Sequence, residues 1–272
     1  MGGIRVSLRR SLAIVLRQFY LVRGSLSRLV PMFVWVAIDI VLWGFISRYF
    51  GRLGMGRVPL VPTLLGAVLF WDFLVRVMQG VTMVFLEYVW SRNLLNLFST
   101  PLRVSEYLGG LVVSSTLTSA VGLVVMLAVA IGVFGLSFAA LGVSLAAYLG
   151  VLFLFGIALG ILGTAMVLRM GPAAEWFIWP IPAVLSPFAG VFYPLSTLPR
   201  WMRVIGRTMP ASWVFEGLRA ALAGGGAPWH DLTLGAAIAL VDVALACVVF
   251  AAVHRGAVRS GLLARYSAET VM

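Results

Sequence analysis

The sequence predicts an all-α membrane protein of six transmembrane helices. An N-terminal amphipathic interface helix, a short cytoplasmic helix after the second span and a re-entrant helical hairpin before the last complete the expected fold. Three observations carry this. Of 272 residues, 62% are hydrophobic and only 11% charged, with a mean hydropathy of +1.06; an ordinary globular domain has about 45–50% apolar and about 25% charged residues. Six apolar stretches are long enough to cross a bilayer. Between them lie segments too polar to span and too apolar to float free. The composition excludes a soluble domain, a disordered chain and a disulfide scaffold.

The first thirty residues place Leu8, Leu12, Val15, Phe19 and Val22 at helical spacing, with Arg5, Arg9, Arg10, Arg17 and Arg23 on the other side. That pattern predicts a helix lying on the membrane with its arginines among anionic headgroups; a helix packed on a partner is the alternative. It is no signal peptide, since no small-residue cleavage site follows a short apolar core. The helix is expected over residues 1–29, and one membrane domain over 30–272.

Spanning a ~30 Å hydrocarbon layer takes about 20 apolar residues. The spans are expected at 30–50, 60–86, 107–134, 138–168, 172–193 and 232–254. Gly156 and Gly160, four apart in the fourth, allow a neighbouring helix to approach closely. The fifth holds Pro172, Pro180, Pro182 and Pro187 with Glu175, so it is expected to be kinked or broken and supported by protein. With both termini inside, twelve arginines fall on the cytoplasmic side and seven outside, with Arg76 within a span. The positive-inside rule therefore places both termini in the cytoplasm.

All 20 basic residues are arginine. A P-loop needs a lysine to reach the β- and γ-phosphates, so this chain cannot be a P-loop ATPase by itself. The net charge of +11 is read as setting topology and attracting anionic lipid, not nucleic acid. Cys247 is the single cysteine and His230 and His254 the only histidines. There is no HExxH, no GxSxG and no acidic cluster at metal-ligand spacing. No catalytic residue, metal site or cofactor is expected in the chain.

Charges at membrane depth are the first candidate site. Asp39 lies in the first span, Asp72 and Arg76 in the second and Asp242 in the sixth. Asp72 and Arg76 are four apart on one helical face and able to pair. A charge at the bilayer centre costs about 2.5–3.5 kcal/mol on insertion scales, so these residues face protein or water. They form either a polar lining for a substrate or a structural set between helices.

Two pieces outside the spans are more informative. From Glu87 to Gly110, Leu94, Leu95, Leu97 and Phe98 stand among polar residues before a break at Pro101. Such a short amphipathic helix suits a groove in a soluble partner; an interfacial helix without a partner is the alternative. From Tyr193 to Gly226, Pro194, Pro199, Pro210 and Gly224–Gly226 punctuate two short helices at about 198–208 and 211–223. With Trp201, Trp213 and Trp229 at headgroup level, they read as a re-entrant hairpin. Glu216 and Arg219, three apart, are expected to pair and hold it in shape.

This order of parts resembles the ABC-2-type permeases, the membrane subunits of a class of ABC exporters. The resemblance covers nearly the whole chain. One motif is matched by Glu87, Thr100-Pro101, Glu106 and Gly109, and another by Pro194, Leu198-Pro199, Trp201, Pro210, Glu216, Leu218 and Arg219. It implies a homodimer of the permease with two copies of a separate P-loop ATPase that binds ATP and Mg. It also implies a coupling helix around Glu87, Arg92, Asn93, Leu94, Leu95, Leu97, Phe98 and Pro101. A substrate path between the two copies would be lined by Trp35, Asp39, Trp43, Trp71, Asp72, Arg76, Trp176 and Trp179. The expected function is export of an amphiphile (a lipid, lipid-linked glycan or hydrophobic drug) across a bacterial cytoplasmic membrane. A proton-coupled secondary carrier using the membrane-depth acids is the alternative, and a scaffold without transport a third reading.

Overall fold

A computed structural model describes residues 13–17, 20, 26–52, 60–91, 104–135, 141–224, 226 and 228–261. The described residues form helices and turns without a strand. Helix α1 is Leu26–Arg52, α2 Leu60–Trp90, α3 Val104–Phe134 and α4 Ser144–Met170. A 3-10 turn at Gly171–Ala174 leads to the short α5, Glu175–Ile178, and α6, Pro180–Ala189. Helices α7, Arg200–Arg207, and α8, Pro210–Leu222, precede the long α9, Trp229–Arg259.

Four helical stretches among the described residues are long and apolar enough to cross a membrane: Pro62–Trp90, Glu106–Phe134, Ser144–Ile178 and Trp229–Arg259. Those of 29 to 35 residues rise about 1.5 Å per residue and outreach the ~30 Å hydrocarbon layer. Helix α1, with 27 residues, is long enough as well.

Helices α2 and α4 form the centre. Phe70, Leu74, Val77, Met78, Val81 and Phe85 of α2 are buried, as are Leu152, Ile161, Ala165 and Leu168 of α4. Helices α1 and α3 flank α2, α9 flanks α4, and α8 packs across α4 and α9.

Small residues draw the two central helices together. A Cβ at Gly156 would meet Val77 Cβ at 2.8 Å, one at Gly160 would meet Val81 Cβ at 2.7 Å, and one at Gly163 would meet Thr82 Oγ1 at 2.7 Å. The close approach expected of Gly156 and Gly160 is therefore made, against α2. It lets the Thr82 hydroxyl donate across to Gly160 O at 3.0 Å. On the other side of α2, Ser115 of α3 donates to Val77 O at 2.9 Å. Interhelical packing at small residues with hydroxyl bridges replaces the hydrophobic effect that lipid cannot supply.

We expect Gly160→Leu to wedge α2 from α4 and cost about 1–3 kcal/mol. Gly150 has nothing within 4 Å of its would-be Cβ, so Gly150→Leu serves as the control. Thermal unfolding in detergent should drop for the first and hold for the second; equal midpoints would contradict the seam.

The segment expected as the fifth span departs from a regular helix where its prolines and glycines lie. Gly171 has φ 66° and ψ −148°, a region essentially closed to residues with a Cβ, and Pro172 follows. Pro180 starts α6 and Pro187 lies within it. Support by protein, however, is only partial: Trp176 is 83% exposed on this single chain, and Phe177, Trp179 and Val184 are exposed too.

The N-terminal segment differs in face from the expectation. Ile14, absent from the expected apolar stripe, is buried and packs against Gly110 at the start of α3. The Arg17 guanidinium sits 4.3 Å from the Tyr88 ring centroid. The reason is local: Gly110 opens a notch that an aliphatic side chain fills, and Tyr88 offers an arginine an aromatic face. Leu8, Leu12, Phe19 and Val22 lie outside the described residues.

Candidate functional site

Three groups of residues stand out from the helical scaffold. The first joins α1, α2 and α3. Asp39, Asp72 and Arg76 are near enough for their charges to act on one another. Among the described residues no direct ion pair joins Asp72 to Arg76, contrary to their helical spacing. Asp72 Oδ2 and Arg76 Nε are buried without a hydrogen-bond partner. The cause is that the Arg76 stem crosses to α3, where its Cδ lies 3.2 Å from the position of a Cβ on Gly122. Asp242 lies on α9, which does not pack on this group.

The aromatic candidates are divided among several places. Trp43 stacks on Phe192, with centroids 4.7 Å apart and planes at 12°, and so ties α1 to the turn after α6. Trp71 is only 9% exposed and packs against Phe215 of α8, which makes it part of the core. Trp176 and Trp179 are exposed; the Trp179 indole donates to Glu175 at 3.2 Å. Trp35 belongs to α1, but its side chain lies outside what is described.

The second group is the turn-and-hairpin region 190–222. Gly190 takes φ 63° and ψ 41°, the left-handed conformation that lets the chain leave α6. Pro199 precedes the first turn of α7, and Pro210 opens α8, where a missing N–H costs nothing. The two helices match the expected short segments, α8 starting one residue earlier than expected. Arg219 donates to Gly190 O at 2.9 Å, to Val191 O at 3.3 Å and to Glu216 Oε1 at 3.0 Å. The same carboxylate oxygen accepts from the Leu195 backbone N–H at 2.7 Å. The expected ion pair is thus formed and reaches into the preceding turn. Trp201 is exposed and meets Phe188 edge-on.

Sequence reasoning missed Arg203 here. It donates to Leu195 O, Ser196 O and Leu198 O at 3.2, 2.8 and 2.9 Å. A basic residue four after the helix-opening Pro199 is the faint signal that was available. Phe192 was missed too, and its place two residues after Gly190 was the clue.

The third group surrounds the end of α2. Tyr88 and Phe85 meet Tyr107 of α3 at 5.9 and 6.0 Å between centroids, and Arg17 covers Tyr88. Glu87 is half-buried in the last turn of α2, and Glu106 is buried in the first turn of α3. Arg92, Asn93, Leu94, Leu95, Leu97, Phe98 and Pro101, between these two ends, lie outside the described residues.

Among the described residues no group of three or more His, Cys, Asp or Glu side chains could hold a metal ion. What the geometry defines is a multi-pass helical membrane protein with charges inside its bundle and a braced hairpin between its last spans. The chain belongs to the ABC-2 type transporter family, whose model matches residues 8–223. As a member it is a permease component of an ABC transporter, a class whose membrane subunits associate with an ABC ATPase. No curated protein matches the chain.

Proposed function

We propose that this chain is the permease of an ATP-driven exporter. Two copies pair with each other and with two copies of a separate P-loop ATPase, in a bacterial cytoplasmic membrane. The observation that carries the reading is the family match over residues 8–223, in a chain without the lysine that phosphate binding by a P-loop requires. ATP and Mg belong to the partner. In this reading the break at Gly171–Ala174 divides the Ser144–Ile178 stretch, so that α1 and the segment from that break through α6 bring the spans to six, and both termini are cytoplasmic.

Residues 92–99, with Glu87 and Pro101 at their margins, form the coupling helix. The interlocked Phe85, Tyr88 and Tyr107 rings support this assignment, since they tie the two helices flanking that segment into one body. Movement of the segment is then movement of α2 and α3.

The substrate path lies between the two copies, along the exposed α5–α6 face bearing Trp176 and Trp179. Asp39, Asp72 and Arg76 supply its polar part. A buried polar atom without a partner costs about 1–3 kcal/mol, so Asp72 Oδ2 and Arg76 Nε favour a site that a polar headgroup or water completes. An amphiphile with a lipid or glycolipid character fits such a mixed lining.

The same charged group supports a second reading, a proton-coupled carrier working alone. Vesicles from the native membrane separate the two. Export dependent on ATP, sensitive to vanadate and indifferent to an uncoupler is expected. Export that continues without ATP and stops with the uncoupler, and that Asp72→Asn abolishes, would establish the carrier instead.

A further inference from the structure

A cleft of about 410 Å³ opens between the C-terminal ends of α4 and α9, lined by Arg169, Ala252, Val253, Gly256, Ala257 and Ser260. Its small side chains follow one face of α9, at helical spacing. Gly256 marks its openness. Where Gly156, Gly160 and Gly163 are closed off by α2, a Cβ at Gly256 would find nothing within 4 Å.

Among the described residues the charged side chains at this cleft are basic. Arg169 ends α4, and Arg255 and Arg259, one turn apart, stand at the edge of the lining face of α9. Arg255 and Arg259 are exposed. Helix α4 has no acidic residue, and α9 has none after Asp242, more than two turns before the cleft.

The walls are apolar and continue into the exposed hydrophobic side of α9, where Leu245, Val248 and Val249 stand. A cleft with a cationic rim that runs into a lipid-facing surface fits a ligand with an anionic head and a hydrocarbon tail. Basic recesses between spans at a membrane surface are suited to anionic headgroups.

We propose that this cleft is a binding site for one anionic phospholipid of the surrounding leaflet, with the phosphate at Arg169, Arg255 and Arg259 and an acyl chain along Ala252, Val253 and Gly256. The site lies on the far side of the α2–α4 core from Asp39, Asp72 and Arg76, so it is separate from the substrate path. Only its assignment to the cytoplasmic leaflet rests on the orientation proposed above.

The test is native mass spectrometry of the complete complex released from detergent. Phosphatidylglycerol is the probe and phosphatidylethanolamine, zwitterionic and without net charge, the comparison. Wild-type protein should retain phosphatidylglycerol preferentially. Arg169→Gln should weaken retention about fivefold, the effect of one arginine at an anionic surface. Gly256→Leu should displace the lipid by filling the cleft with every charge kept, and its thermal midpoint should stay at the wild-type value because the position is open. Glycerophosphate, the head without the tail, should not compete. Equal retention of both lipids, unchanged retention in Gly256→Leu, or displacement by glycerophosphate would each overturn the proposal. So would a wild-type protein that holds no lipid, which would give the cleft to residues 262–272 or to another subunit.

Discussion

Leu94→Asp should strip the ATPase from the purified permease. Leu94 is the first of four apolar residues in the 92–99 segment, and a docking helix places such residues in a partner's groove. Burying a leucine gains about 1.5–3 kcal/mol, and a carboxylate in its place adds a desolvation cost. A central interface residue of this kind is worth about 2–4 kcal/mol, a roughly thirty- to thousandfold loss of affinity. Asn96→Asp adds the same charge roughly 200° round the proposed helix and should leave the complex intact. Affinity capture of the permease followed by quantitation of the ATPase reads both. If Asn96→Asp is as damaging as Leu94→Asp, the segment responds to charge alone and does not dock by its apolar side.

The second large effect is expected at the hairpin. Arg219→Leu removes the donors to Gly190 O and Val191 O and leaves Glu216 without its cation. The arginine side chain is 18% exposed and the glutamate 38%. Breaking a fully buried pair costs about 3–5 kcal/mol; partial exposure of Glu216 reduces this through solvent screening, to about 2–4 kcal/mol. Glu216→Gln keeps an acceptor for the Leu195 N–H while losing the charge, so its effect should be smaller. Arg207 is exposed at the end of α7, and Arg207→Leu should stay within about 0.5 kcal/mol. Thermal unfolding in detergent orders the three. A midpoint for Arg219→Leu no lower than for Arg207→Leu would show that the turn after α6 does not depend on this guanidinium.

These two regions also show what could be read from the residues. The hairpin was legible because proline and glycine punctuate it: Pro199, Pro210 and Gly224–Gly226 mark the ends of α7 and α8 to within a residue or two. The Gly156–Gly160 spacing disclosed a seam, though not its partner. Arg203 escaped because its three acceptors are backbone carbonyls, which every residue owns and no sequence pattern advertises. The Asp72–Arg76 pair failed for a tertiary reason, the gap over Gly122 that draws the arginine towards α3.

The aromatic candidates were the least legible. In a soluble helix the apolar stripe marks the buried side. A membrane helix is apolar all round, because lipid and protein neighbours both accept hydrocarbon. Trp71 in the core and Trp176 on the surface therefore carry the same sequence signal. In the N-terminal segment the contacts of Ile14 with Gly110 and of Arg17 with Tyr88 were equally illegible, since both partners lie roughly 70 to 100 residues further along the chain.

The most direct measurement is the mass of the intact particle extracted from the native membrane. The account predicts two copies of this 29.4 kDa chain with two copies of a P-loop ATPase, and no such particle when Leu94→Asp replaces the wild type. A particle made of this chain alone, still active in export, would contradict it.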